Sequence, residues 1–159
     1  MSEKYNLKGG CTCGKVKYSI SEKPLFTQAC HCVDCKISTG SSYVIHTTIL
    51  DKTLSVDGKV ASTVLPTGSG KGYRAYFCIE CGVYLYCKYY IGPGRLNVRT
   101  KTLEDPNKFP PQVHIFTKDK DPWLNLSDKD KCFETAYDRD KTWSKESVKR
   151  YNEHLSKIK

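Results

Sequence analysis

Seven of the nine cysteines in this 159-residue chain fall into three tight clusters, and that arrangement constrains the fold more than any other feature. Cys11 and Cys13 form C-x-C, Cys30, Cys32 and Cys35 form C-x-C-x-x-C, and Cys78 and Cys81 form C-x-x-C. Such spacings put two thiolates within reach of one ion at Zn–S distances of about 2.3 Å, as tetrahedral zinc requires. Glycine follows two of the clusters, at Gly14 and Gly82, where it lets the backbone turn sharply and aim amides at charged sulfurs. The opening stretch, MSEKYNLKGG, lacks the apolar segment of a secretory signal. No apolar run approaches the roughly 18 residues of a membrane span. A cytoplasmic location is therefore expected, with the nucleus as a second compartment, and no membrane partner. Thiols stay reduced there, so the clusters are expected to bind metal rather than to form disulfides. By the same reasoning Asn125-Leu126-Ser127 is a chance match to a glycosylation acceptor.

Seven ligands divide most simply as four plus three. Cys11, Cys13, Cys78 and Cys81 would close one site and staple an N-terminal hairpin to the middle of the chain. Cys30, Cys32 and Cys35 would hold a second ion with one position vacant, the mark of a catalytic zinc and not a structural one. Two zinc ions are the expected complement. The alternative is that His31, His46, His114 or a distant cysteine closes the second site permanently. His31 lies between two ligands and is expected to point away from the ion they share.

The rest of the body reads as short strands. Lys15–Ile20, Tyr43–Ile49, Tyr73–Phe77 and Val83–Tyr90 carry β-branched and aromatic residues, with shorter candidates at Leu96–Thr100 and Val113–Thr117. Turns are marked by Val56-Asp57-Gly58, by the run from Pro66 to Gly70, by Gly92-Pro93-Gly94 and by Pro110-Pro111. This pattern predicts a mainly β domain. Residues 118–141 alternate in charge sign and are expected to lie as an extended segment over the body, with Trp123 as an anchor. Val148, Tyr151, Leu155 and Ile158 follow 3–4 spacing, which predicts an amphipathic helix over Ser144–Lys157 with Ser144 as its cap.

The formal charge of +9 raises a nucleic-acid reading. Residues 1–117 hold 15 Lys and Arg against 8 Asp and Glu, and residues 118–159 hold 11 against 9, so the excess is not a basic tail. Seven thiolates holding two dications would lower the total to about +6, a mildly basic surface suited to a small anion as much as to phosphate backbones. Because the excess is not a basic tail, a nucleic-acid partner is not expected.

The segments GGCTCGKVKYSI, CHCVDCKISTGSSYV, YRAYFCIECGVYLY and FPPQVHIFTKDKDPW, in that order, resemble the glutathione-dependent formaldehyde-activating enzymes, a family sharing its domain with centromere protein V. The resemblance covers residues 7–124 and leaves 125–159 as a charged C-terminal segment with the amphipathic helix. It implies a zinc-stapled, β-tent-like fold of antiparallel sheets, with Cys11, Cys13, Cys78 and Cys81 structural and Cys30, Cys32 and Cys35 catalytic. The implied activity joins glutathione and formaldehyde into S-(hydroxymethyl)glutathione, which makes the reverse reaction that of a carbon–sulfur lyase. The implied partners are thus a small thiol and an aldehyde. Lys101 stands where family members often carry glycine before T-L-D-D-P, and the long basic N-terminal extension of centromere protein V is absent. A rival reading of the same features is a zinc-stabilised binding module for nucleic acid, cytoskeleton or protein, without turnover.

Individual residues follow from this frame. The resemblance places the segment containing His114 near the open zinc, which makes His114 a candidate proton shuttle or ligand contact. Arg74, Lys36 and Lys88 are candidates to pair with glutathione carboxylates. Cys87 shares a strand face with Val83, Leu85 and Tyr89 and is expected to be a small core residue, and Cys132 an inert thiol.

Overall fold

The computed structural model describes residues 4–67 and 70–158 and is mainly β. Among the described residues a three-stranded sheet has the order β1-β2-β5, from Leu7–Gly10, Lys17–Ile20 and Leu54–Asp57. A seven-stranded sheet has the order β10-β3-β4-β9-β8-β7-β6. Its strands are β3 Phe26–Cys30, β4 Val44–Leu50, β6 Val60–Leu65, β7 Tyr73–Cys78, β8 Tyr84–Tyr89, β9 Arg95–Arg99 and β10 Val113–Ile115. The α-helices among the described residues are α1 Val33–Thr39, the single turn α2 Arg139–Thr142, and α3 Lys145–Lys157, beside four short 3-10 turns. All six strands expected from residue type are present within two residues of their expected bounds. The Gly68-Ser69 part of the expected turn before β7 lies outside the described residues. Among the named strands pairing is antiparallel except between β10 and β3, which run parallel, and the bridge of His114 to Cys132 is parallel too, so the expectation of wholly antiparallel sheets is corrected at that one edge. No helix among the described residues is long and apolar enough to cross a membrane.

Strand alternation assigns the two faces of the large sheet different work. One face, with Ile49, Leu85, Leu96 and Val98, packs on Val16, Tyr18 and Ile20 of the small-sheet side and forms one core cluster. The opposite face carries Phe26, Cys30, Val44 and Leu50, which pack with Cys35 of α1 and with Trp143 and Tyr151 of the C-terminal segment. A β-bulge between β7 and β8 resets the alternation: Tyr76 faces Tyr86 but Phe77 faces Tyr84, leaving Leu85 as the extra residue. Cys87 is consequently buried with Tyr73, Ala75, Tyr84 and Tyr89, while Leu85 and Val83 belong to the other cluster. The expected shared face of Cys87 with Val83 and Leu85 is corrected by that bulge.

The C-terminal segment covers a sheet edge that would otherwise be open. His114 N–H donates to the Lys131 carbonyl (2.8 Å), Phe133 N–H to His114 (2.8 Å) and Phe116 N–H to Thr135 (3.1 Å). These bonds occupy the outer edge of β10 and protect it from pairing with another chain. Ser144 caps α3 by accepting from the Ser147 N–H at 3.1 Å, as its position predicts. The anchor of the segment is not Trp123, which is 68% exposed, but Trp143, which is 5% exposed. Trp143 stacks on Phe26 with ring centroids 5.7 Å apart, and its Nε1–H donates to the Tyr137 hydroxyl at 2.9 Å. Trp143→Ala is therefore expected to cost about 3–5 kcal/mol in denaturant unfolding. Trp123→Ala should change stability by no more than about 0.5 kcal/mol. Equal effects of the two would show that the segment is not part of the core.

Candidate metal centre

Two turns from different sheets bring the first four thiols together. After β1 the chain turns through Cys11–Gly14, with Cys11 N–H bonded to the Val16 carbonyl (3.0 Å) and Gly14 N–H to Cys11 (3.1 Å). After β7 an equivalent turn bonds Gly82 N–H to Cys78 (2.9 Å) and Cys78 N–H to Val83 (3.0 Å). Gly14 and Gly82 have φ of 73° and 70°, the left-handed region that other residues enter only at a cost. Each glycine thus closes a turn whose second cysteine, Cys13 or Cys81, is exposed, while Cys78 is buried and Cys11 half-buried. The Sγ atoms of Cys11, Cys13, Cys78 and Cys81 all lie within 4.8 Å of one another. Cys11 and Cys13 are 3.5 Å apart, and Cys13 and Cys78 3.8 Å. The edge of a tetrahedron with Zn–S bonds of about 2.3 Å is about 3.8 Å, so the donor set fits such an ion closely. All nine cysteines are free. Burial works against ionising Cys11, but the Val16 N–H, which points at its sulfur at 3.2 Å, and the three neighbouring thiols bring it down to about 6.

The second cluster forms where β3 runs into α1. Cys30 ends the strand, Cys32 is the N-cap of the helix and accepts from the Cys35 N–H at 3.4 Å, and Cys35 points back from the first turn. Their sulfurs also lie within 4.8 Å of one another, and among the described residues no fourth ligand atom joins them. Hydrogen bonds from Cys30 and Cys35, against the cost of burial, pull Cys32 down to about 3. Cys30 is pushed upward by its hydrogen bonds with Cys32 and Cys35 and by burial. One thiolate stabilised by two thiols is a centre ready to exchange its protons for a cation.

The histidines take separate parts. His31 Nε2 lies 2.9 Å from His114 Nδ1, so these two rings bind each other in the interior. Burial, and next the His114 charge, hold His31 down at about 4, and burial lowers His114 as well. His46 Nε2 lies 3.6 Å from Cys35 Sγ but does not join the three sulfurs as a fourth ligand.

A cavity of about 580 Å³ opens on the trio. Its walls are the second face of the large sheet, because Gln28 and Cys30, His46 and Thr48, and Arg95 and Asn97 are alternate residues of three adjacent strands. Phe116 also reaches it, from a φ of 54° that a non-glycine residue rarely adopts. The last wall is Ala136, Tyr137 and Arg139 of the C-terminal segment.

The structure brings the three trio cysteines to this cavity and places the other candidates elsewhere. His114 does not line it. Lys36 is bound to Asp121 Oδ1 (2.7 Å) and the Asp119 carbonyl (2.8 Å), Lys88 pairs with Asp51 (3.5 Å), and Arg74 bonds Ser62 (3.0 Å). None of the three lines the cavity. Its cations are Arg95, Lys118 and Arg139, and its acids Asp34 and Asp119. Nothing in their sequence context marks them, since only the strand register and the course of the C-terminal segment bring them together.

Residues 6–119 match the model of a family described as glutathione-dependent formaldehyde-activating enzyme. The chain belongs to that family. No curated protein matches it closely enough to count as a relative. A solved structure with similarity is the crystal structure of a Rhodobacter sphaeroides protein, at 25% identity and a TM-score of 0.49, covering 61% of this chain and 87% of that one. The family match ends before the wall formed by Ala136, Tyr137 and Arg139.

Protein purified without chelator should carry two divalent ions per chain, the one at Cys30, Cys32 and Cys35 leaving first to a mild chelator. A filled coordination shell protects the other ion. Cys78→Ser should impair folding, because structural metal binding contributes folding free energy directly, whereas Cys32→Ser should leave a folded protein with one ion. Elemental analysis and thermal melting check both. Loss of both ions in either variant would show that the sites are not separable.

Proposed function

We propose that this protein is a zinc-dependent carbon–sulfur lyase and synthase of the S-(hydroxymethyl)glutathione synthase type, joining glutathione to formaldehyde or a related small aldehyde. The observation that carries the reading is an incomplete three-thiol centre inside a cavity whose charges match a tripeptide thiol. Glutathione has two carboxylates and one ammonium. Among the described residues, Arg95 and Lys118 line the cavity without a carboxylate in ion-pair distance, and Asp34 and Asp119 line it with side-chain carboxylates in no ion pair, the Lys36 ammonium meeting Asp119 only at its carbonyl. Arg139 is already engaged by Asp140 at 2.6 Å. The volume falls in the range of about 300–1,000 Å³ usual for small-molecule sites.

Zinc is the natural ion for the donor sets, and when bound by the trio it supplies Lewis acidity that makes a thiol more acidic or a carbonyl more electrophilic. The chain's own groups do the rest. Arg95 and Lys118 hold the carboxylates, and Asp34 or Asp119 holds the ammonium. Ile91, Ile115 and Phe116 provide an apolar wall that limits water around the aldehyde. In the synthetic direction a C–S bond forms, the carbonyl π bond opens, and the thiol proton ends on the new hydroxyl. No oxidant or reductant enters. The His31–His114 hydrogen bond supports a positioning part for His114, fixing the backbone between Cys30 and Cys32. Arg95 and Lys118 replace Arg74, Lys36 and Lys88 as the preferred carboxylate partners, because they face the trio's cavity.

Calorimetric titration with glutathione tests the assignment. Arg95→Met or Lys118→Met should each weaken binding about tenfold, the loss of one charge-assisted hydrogen bond, while Lys88→Met changes it less than about twofold. Zinc-loaded protein should accelerate formation and breakdown of the adduct in exchange NMR, and protein with the trio emptied should not. Glutathione binding without any acceleration would overturn the enzymatic reading.

A further inference from the structure

Arg99 is a buried cation without an anion. It is 5% exposed, and among the described residues no carboxylate lies within ion-pair distance of it. Its Nε has no hydrogen-bond partner. Its guanidinium carbon sits 3.8 Å over the Tyr84 ring, and its Nη1 lies 3.2 Å from each ring nitrogen of His46. His46 in turn places Nε2 at 3.6 Å from Cys35 Sγ.

The row follows from the sheet register. Arg99 of β9 lies directly opposite His46 of β4, on the face over which Cys35 descends from α1. A guanidinium only donates, so the imidazole nitrogen it meets accepts. With Nδ1 as acceptor, the hydrogen on Nε2 is directed at the Cys35 sulfur. The buried thiol of Cys87 is the other sulfur in this neighbourhood; burial keeps it neutral, and it brings no compensating charge.

A buried charge is costly unless another charge offsets it. Three thiolates around a dication carry a net charge of about −1, and a substrate thiolate in the fourth position makes it about −2. We infer that Arg99 is the counter-charge of the three-cysteine metal centre, acting on Cys35 through His46 as a positioning residue. The inference rests on the reading that the trio binds a dication. It assigns Arg99 and His46 a part that the cysteine motif does not reveal: His46 lines the cavity, whereas Arg99 stands behind that wall, buried and outside the lining. The charge favours the ionised, metal-bound thiols over the neutral, metal-free ones, and it grows more useful as thiolate accumulates.

The test uses the full chain with zinc retained at the four-cysteine site and the trio titrated with cobalt(II), whose thiolate charge-transfer absorption reports ligation directly. Arg99→Met should weaken cobalt binding at the trio by about 10–100-fold, the usual effect of removing an outer-shell partner, and shift the charge-transfer band. Arg99→Lys, which keeps the charge, should recover most of the affinity. With the trio emptied, Arg99→Met should melt no lower than the wild type, because it removes an unpaired buried charge, and cobalt should then raise its Tm less. Equal cobalt affinity in wild type and Arg99→Met overturns the inference. So does an Arg99→Met protein that is unfolded or melts lower with the trio emptied, which would make Arg99 a packing residue. A wild type that takes up no cobalt at the trio removes the metal reading itself and the inference with it, and that failure is visible before any variant is made.

Discussion

The crowding of four sulfurs at the junction of two sheets is the constraint on which the rest of this structure depends. Cys11 and Cys13 hang from the small sheet, Cys78 and Cys81 from the β7–β8 hairpin near one edge of the large one, and their Sγ atoms lie within 4.8 Å of one another. Thiols alone have little reason to gather so closely, whereas thiolates around a dication do. That junction holds Val16, Tyr18 and Ile20 against Leu85, Leu96 and Val98, so the first core and the sulfur cluster reinforce each other. With one face of the large sheet committed there, its other face is left to be covered by α1 and the C-terminal segment. The cavity is the part of that face they leave open.

Function then follows from alternation. Because side chains two apart share a face, the pairing of β3, β4 and β9 sets Gln28, His46, Arg99 and their neighbours in rows under the trio. The bulge at Leu85 matters for the same reason. It returns Tyr84 to the face that carries Cys87 and Tyr89, and so supplies the ring on which Arg99 stacks. An unbulged hairpin would turn that ring to the other core. A local irregularity of one residue thus decides whether a buried guanidinium has a surface to rest on.

The two cysteine clusters were legible in the sequence because C-x-C and C-x-x-C bring their thiols together through local turns, whatever the remainder of the chain does. Most strands with β-branched and aromatic runs were legible for a similar reason, though Val60–Leu65, also β-branched, was not among those expected. Leu7–Gly10, with two glycines, and Phe26–Cys30, with no clean alternation, were not, since tertiary pairing makes them strands. The seven-residue helix after Cys32 was hidden under the cysteine motif. Cations were the least legible group. Lys36 and Arg95 look alike in sequence, yet one is consumed by Asp121 and the other faces the cavity, a distinction set by contacts more than 40 residues apart. Trp123 and Trp143 teach the same lesson: both follow charged stretches, and only the second meets an aromatic partner.

The division between family domain and C-terminal segment also takes on physical meaning. The family match ends at residue 119, yet Trp143 and Tyr151 share a core cluster with Cys30 and Cys35 of the three-cysteine group. The Tyr137 hydroxyl donates to Gln28 Oε1 at 2.6 Å, two residues from Cys30 on the same face of β3. Segment and site are therefore coupled through packing and one short hydrogen bond, and not merely adjacent. Arg95 is held in the same way, 5.9 Å from the Trp143 ring and 5.7 Å from that of Tyr151. The trio belongs to the family domain, whereas part of the cavity wall, and the aromatic pair that holds Arg95, belong to the segment beyond residue 119. On the proposed reading that the cavity takes a thiol, exchange of that segment would reshape the wall without disturbing Cys30, Cys32 or Cys35.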